Sequence, residues 1–272
     1  MLLYTIGTTP AQVPGPLYRI DLSTLRALPV LMIPTNQTAV LEGAANQDYV
    51  SGPSGVYQFD RATGALQAVV FSTGFSNGYG IGPAIAISPD RTSLYVTDDG
   101  NQLLYTYDVS GSTPVLLHSL PGQYFQPTPS PDGKYLYYRS DSSTPTQLFQ
   151  GLAPDLTPSV AFAASSDLSQ IAVGPDGSIY FVGPPSFGGT FSLYDPTSLK
   201  QTCTIDLNRF DLAPIPDSFF AGPAAFDSSG KNIFVSVGGL TSETWVFSSD
   251  VASFPPPPPD PTQDLLNIST RA

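Results

Sequence analysis

The chain has 272 residues, one cysteine, one histidine and a formal net charge of −12. Its ten Lys and Arg residues argue against nucleic acid and against an acidic membrane surface, since both need clustered cations. Cys203 alone makes neither an internal disulfide nor a thiolate metal cluster, and no stretch has the apolar length of a membrane span.

Period-2 alternation of apolar and polar residues runs through the chain, and no segment has a helical period. In chain order, LLYTIG (2–7), PLYRIDL (16–22) and ALPVLMI (27–33) read as three strands, the first of them standing where a second strand is expected. A four-strand group follows at about 37–71: AVLEGA, DYVSG, VYQFD and LQAVVF. The clearest group, about 82–120, is GPAIAIS, SLYVTD, QLLYTYD and VLLHSL. Two more cover about 126–164 and 168–207, and a last begins near Gly222 with GPAAF, NIFVSV and ETWVFS.

Two phrases recur through these groups. ISPDRTSLYVTDD (87–99), PSPDGKYLYYRSD (129–141), VGPDGSIYFVG (173–183) and FDSSGKNIFVSVGG (226–239) each join two apolar runs through a polar turn. Pro presets φ for such a turn, Asp suits its third position and Gly closes it. The second phrase ends in Asp at LYRID (Asp21), VYQFD (Asp60), LYTYD (Asp108) and FSLYD (Asp195), with LFQGL (148–152) and TWVFSS (244–249) as weaker copies; counting LFQGL, Asp21 to Asp195 is four steps of about 44 residues, the period of a four-stranded propeller blade. The expected fold is all-β, a six-bladed β-propeller of four-stranded antiparallel blades over 1–250. Gly82-Pro83, Pro127 and Gly222-Pro223 are expected to open innermost strands, where an edge tolerates Pro.

Twenty of the twenty-two acids are Asp, with only Glu42 and Glu243 as Glu. Asp is the turn former of the two, so this charge marks loops more than a binding face. Residues 251–272 change character: Pro255 to Pro259, Asp260 and Pro261 make a stiff polyproline spacer, and DLLNIST (264–270) is strand-like. That segment is expected to complete the first blade, or alternatively to dock on an adjacent subunit. MLLYTIGTTP has no positive n-region and breaks its apolar run at Thr5, so no signal peptide is expected. The expectation is a soluble chain, cytoplasmic or in a virion, in which the sequons at Asn36 and Asn267 carry little meaning.

ISPDRTSLYVTDDGNQLLYTYDVSG and PSPDGKYLYYRSD resemble the YVTN-type β-propeller repeat, which is related to lactonase-like propellers, and the second is also similar to the TolB-type repeat. The resemblance covers about 82–206 well. It implies the blade fold, and for lactonase-like members it implies His, Glu and Arg about a central channel, or calcium or zinc held by Glu, Asn and Asp. No family catalytic residue carries over: His118 stands in VLLHSL, an outer strand, and Glu42 in AVLEGA has no matching ligand set. No catalytic residue, cofactor or metal site is therefore expected.

Gly74-Phe75-Ser76-Asn77-Gly78 matches G-x-S-x-G but leads into a glycine-rich loop and a strand, whereas a nucleophile elbow needs a helix there. Asp98-Asp99-Gly100-Asn101 lacks calcium-loop spacing and sits where a hairpin turn belongs. A third pattern remains. Phe75 and Tyr79, Tyr124 and Phe125, and Phe219 and Phe220 precede successive innermost strands, near Asn77, Gln123, Gln126 and Asp217. Rings at the mouth of a channel would suit a glycan, peptide or small ligand; alternatively they wedge between blades as core. Poverty of His, Glu, Cys and Lys favours a non-catalytic interaction or assembly module with other protein subunits as partners, reached through residues 255–272. Ligand binding at the aromatic mouth and a lactonase-like hydrolase are the alternatives.

Overall fold

The structure is a computed structural model and describes residues 2–6, 16–21, 26–32, 39–44, 46–52, 55–72, 83–140, 147–163, 170–182, 190–206, 220–226, 232–238 and 243–248. Six antiparallel sheets are present among them. The first orders β1 (Leu2–Ile6), β2 (Pro16–Asp21) and β3 (Arg26–Met32). The second orders β4 (Ala39–Glu42), β5 (Gln47–Gly52), β6 (Gly55–Asp60) and β7 (Leu66–Ser72). The third runs from β8 (Ile85–Ile87) through β9 (Ser93–Asp98) and β10 (Leu103–Asp108) to β11 (Val115–Pro121). The fourth holds β12 (Tyr124–Pro129), β13 (Tyr135–Ser140), β14 (Gln147–Leu152) and β15 (Thr157–Ala163). The fifth holds β16 (Gln170–Val173), β17 (Ile179–Val182), β18 (Thr190–Tyr194) and β19 (Gln201–Asp206). The last is β20 (Phe220–Phe226), β21 (Asn232–Gly238) and β22 (Glu243–Ser248). The latch expected at 264–270 and the proline run lie outside the described residues.

The chain forms two compact units, Met1–Pro127 with Gly151–Thr157, and Thr128–Gln150 with Pro158–Ala272. In the first, Tyr49, Val56, Phe71, Ile85, Leu94 and Val96 join the facing sides of the second and third sheets into one core. In the second, Tyr137, Leu148, Ile171, Ile179 and Tyr194 do the same for strands of the fourth and fifth. The second strand of a sheet is buried on both faces: every residue of β5 is buried, and so is all of β9 and β13 after the first position. Strand side chains alternate between faces, so burial of both faces requires packing on both.

The repeated turn has one mechanism. Ser88 Oγ donates to Asp90 Oδ1 at 2.5 Å and Ser130 Oγ to Asp132 Oδ1 at 2.7 Å. Each carboxylate accepts from the backbone N–H two residues on, that of Thr92 or Lys134, at 3.1 Å. In the third copy Gly174 replaces the serine, and Asp176 takes its bonds from Ser178 instead, N–H at 3.0 Å and Oγ at 2.8 Å. Asp90, Asp132 and Asp176 are thus equivalent, as the repeat predicts. Position four of the turn is left-handed in all three, with φ of 62° at Arg91, 71° at Gly133 and 88° at Gly177. Glycine suits that region and arginine does not, so Arg91 needs a compensating role.

The Asp ending the other phrase caps the turn at the opposite side of the third strand. Asp60 accepts from Thr63, Asp108 from Ser110 and Asp195 from Ser198, each through backbone N–H. The prolines fall where an edge permits them: Pro83 two residues before β8, Pro127 within β12, and Pro223 in β20 at a register shift between Ala221 and Ala224. All three strands end their sheet order, so no ladder bond is lost at a central position.

The Ser130 hydroxyl, with the Lys134 side chain and N–H behind it, holds the Asp132 carboxyl down to about 2. Asp60, Asp90, Asp108 and Asp195 are lowered too, by their own turn hydrogen bonds. A carboxyl depressed by folding stabilises the folded state above its ordinary range and ceases to do so as it is protonated. Melting temperature should therefore be flat above pH ~4 and fall steadily toward pH 2. Thermal melts across that range check this, and Asp132→Asn should show a shallower fall.

Candidate functional site

Antiparallel register puts Asp98, Leu103 and Pro121 in a row at one end of the third sheet, and Ser93, Asp108 and Val115 at the other. The first end carries the described part of the aromatic pattern. Its turn is tied by Asn101, whose N–H reaches Asp98 Oδ1 at 3.2 Å and whose Nδ2 donates to Oδ2 at 2.6 Å. This is an Asx turn, and it occupies the carboxylate that an Asp-Asp-Gly-Asn motif would otherwise offer to a cation. Among the described residues, no group of three His, Cys, Asp or Glu is placed to hold a metal.

From Pro121 the chain passes directly into β12. Gly122 N–H donates to Gln102 O at 2.7 Å, and Gln123 Nε2 to Asp99 Oδ1 at 2.8 Å. The Tyr124 hydroxyl donates to Pro121 O at 3.0 Å, and the tip of its ring lies against Gly122, where a Cβ would stand 2.4 Å from Tyr124 Cζ. Gly122 has φ +143°, so both its conformation and the approach of the ring need glycine. Tyr124 is half-buried and burial raises its pKa. Phe125 is half-buried as well, but as the next residue of the same strand it points to the other face. The two therefore do not line one surface. Phe75, Tyr79 and Phe219 lie outside the described residues, as do Ser76, Asn77 and Asp217, and Phe220 opens β20.

Glu42 belongs to the opposite end of the strands. Its Oε1 meets Arg61 Nη1 at 3.0 Å and Arg91 Nη1 at 3.2 Å. Arg61 also donates from Nε to the buried Asp48 at 2.8 Å and from Nη2 to the carbonyls of Gly43 and Gln47. Arg91 reaches Gly43 O at 3.3 Å across to the second sheet, which accounts for an arginine at a left-handed turn position. Glu42 is thus part of a cross-sheet tie between the second and third sheets. His118 is exposed on β11, the outermost strand of its sheet. Cys203 lies on β19, also outermost.

The sequence matches no protein-family model and no curated protein. Solved structures do match. Hydrazine synthase of Kuenenia stuttgartiensis is 16% identical over 86% of this chain and 71% of that one, with a TM-score of 0.69. The Cps50 (Swd1) beta-propeller domain of Myceliophteria thermophila is 12% identical over 87% and 76%, at 0.65. A mitotic checkpoint complex chain is 12% identical over 92% and 71%, at 0.66. The fold is a β-propeller. At these identities the likeness to each is one of fold, so the propeller's chemistry must be read from its own residues.

That reading turns up a surface the repeat pattern did not single out. Five of the six exposed large apolar side chains among the described residues stand on outermost strands: Leu66 and Val69 on β7, Val115, Leu116 and Leu117 on β11. The signal was present in VLLHSL, a run without Lys, Arg, Asp or Glu. An apolar run in a strand has the same local pattern whether it is core or surface.

Two outcomes follow. Arg61→Ala leaves Asp48, 2% exposed, without its cation and should cost about 3–5 kcal/mol by denaturant titration. Tyr124→Phe removes the hydroxyl that donates to Pro121 O and should cost about 1 kcal/mol in the same titration.

Proposed function

We propose that this protein is a non-catalytic β-propeller that serves as a protein–protein interaction or assembly module. The observation that carries the reading is the exposed apolar outer strand β11, with Val115 55%, Leu116 51% and Leu117 43% exposed. Exposed apolar side chains gathered on one edge strand are a feature of docking sites. The side chains that carry chemistry elsewhere are engaged in architecture here: Glu42 bridges two arginines, and Asp60, Asp90, Asp108, Asp132 and Asp195 cap turns.

In this reading residues 1–250 form six blades and residues 251–272 are an arm toward a neighbouring subunit. Its setting is a virus particle or another large complex. The stiffness of five consecutive prolines supports the arm, and one of the similar structures is, by its name, a complex.

Fractionation of a native extract by size tests the proposal. The protein should run in a particle far larger than its 28.8 kDa, and deleting residues 255–272 should release it without lowering its melting temperature. A lone monomer, or activity against a lactone panel, would overturn the reading. Glycan-array binding that Tyr124→Ala abolishes would replace it with the ligand-binding alternative.

A further inference from the structure

We infer that the outer edge of β11 accepts an extended, apolar peptide strand with basic ends, contributed by a partner protein. The inference rests on the assembly reading and names its surface. β11 ends the order of the third sheet, so part of its backbone N–H and C=O groups face away from β10 with no ladder partner among the described residues. Such an edge binds an added strand through main-chain hydrogen bonds, and its side chains set the preference.

Outer edges are commonly blunted by charge, proline or bulges, and the other outer strands show these devices. β3 carries Arg26 and Pro29, and β19 holds Gln201, Thr202 and Asp206. β7 loses register against β6 twice, at Val56/Tyr57 and at Gln58/Phe59. β11 has one register shift, opposite Thr106/Tyr107, and from Val115 to Leu120 it has no proline and no Lys, Arg, Asp or Glu. Every residue from Val115 to Ser119 is exposed.

Charge selects the occupant. Asp108 pairs with Val115 at one end of β11, and at the other the exposed Asp99 stands in the β9–β10 turn, where Gln123, two residues beyond Pro121, donates to it. The one Lys or Arg between Asp90 and Asp132 is Arg91, in the β8–β9 turn and tied to Glu42, so the third sheet presents carboxylates toward both ends of an apolar strand about 20 Å long. A second copy, at −12, or an acidic segment such as 260–264 meets repulsion there, whereas a strand with an apolar middle and basic ends meets complementary charge.

The probe is a labelled synthetic peptide of alternating Val and Thr flanked by Lys pairs, with a Glu-flanked twin, titrated into the full chain by fluorescence anisotropy. The Lys peptide should bind, weaken as salt rises, and slow hydrogen exchange of the β11 amides. Leu116→Lys and Leu117→Lys should each weaken it at least tenfold, and the Glu twin should not bind. Should a lysine variant melt low, exchange on the unaltered chain decides. No binding, binding without protection of β11, or equal binding of the twin overturns the inference. So does protection that deepens with protein concentration alone, which makes the occupant a second copy. A native particle that survives both lysine substitutions removes β11 while the assembly reading stands; absence of any particle falls on that reading instead.

Discussion

Register depends on the carboxylate-capped turns. In a hairpin, a slip of one residue turns every side chain to the other face, and in these sheets that would move Tyr49, Leu94 or Tyr137 off the core side. Ser88 and Asp90, and Ser130 and Asp132, clamp the turn between the first and second strands from within. Asp60, Asp108 and Asp195 clamp the turn after the third. Short Asp reaches its own backbone two or three residues on, and Glu with one more methylene does not do so as readily. The bias of twenty Asp to two Glu is the compositional trace of that geometry, and much of the negative charge is a by-product of turn making.

The clamps also explain the contrast across a sheet. β5, β9 and β13 are held on both sides by paired neighbours and buried on both faces, so polar groups there need partners. On β5, Asp48 meets Arg61 and Gln47 donates to the carbonyl of Gly111 in the turn between β10 and β11. The outermost strands have only one neighbour. A register shift occurs in four pairings of a third with an outermost strand: β2 with β3, β6 with β7, β10 with β11 and β18 with β19. A bulge adds twist and bends the strand away from its partner, so the periphery is where the repeat is free to vary. That is where this chain places exposed leucines and valines, and where the proposed interaction surface lies.

Much of the fold was legible in the chain itself, because the information is local. Ser-Pro-Asp-Gly makes its turn without outside help, alternation marks strands, and proline marks edges, so Pro127 and Pro223 could be assigned to edge strands from chemistry alone. The candidate site was less legible. Tyr124 and Phe125 were grouped as neighbours in sequence, yet strand alternation separates them, and Gly122 takes the tip of the Tyr124 ring. Glu42 pairs with Arg61 and Arg91, 19 and 49 residues away, and nothing local to AVLEGA specifies those partners.

What the sequence by itself determined, then, is the set of hairpins, their turns and the sheet edges, since each depends on residues within a few positions of one another. Tertiary structure alone decided which apolar runs are core. VLLHSL and SLYVTD have similar strand character, but β9 lies between two strands and against a neighbouring sheet while β11 ends its sheet order and is exposed from Val115 to Ser119. Burial is a property of what packs against a strand, and no local pattern within the strand specifies that.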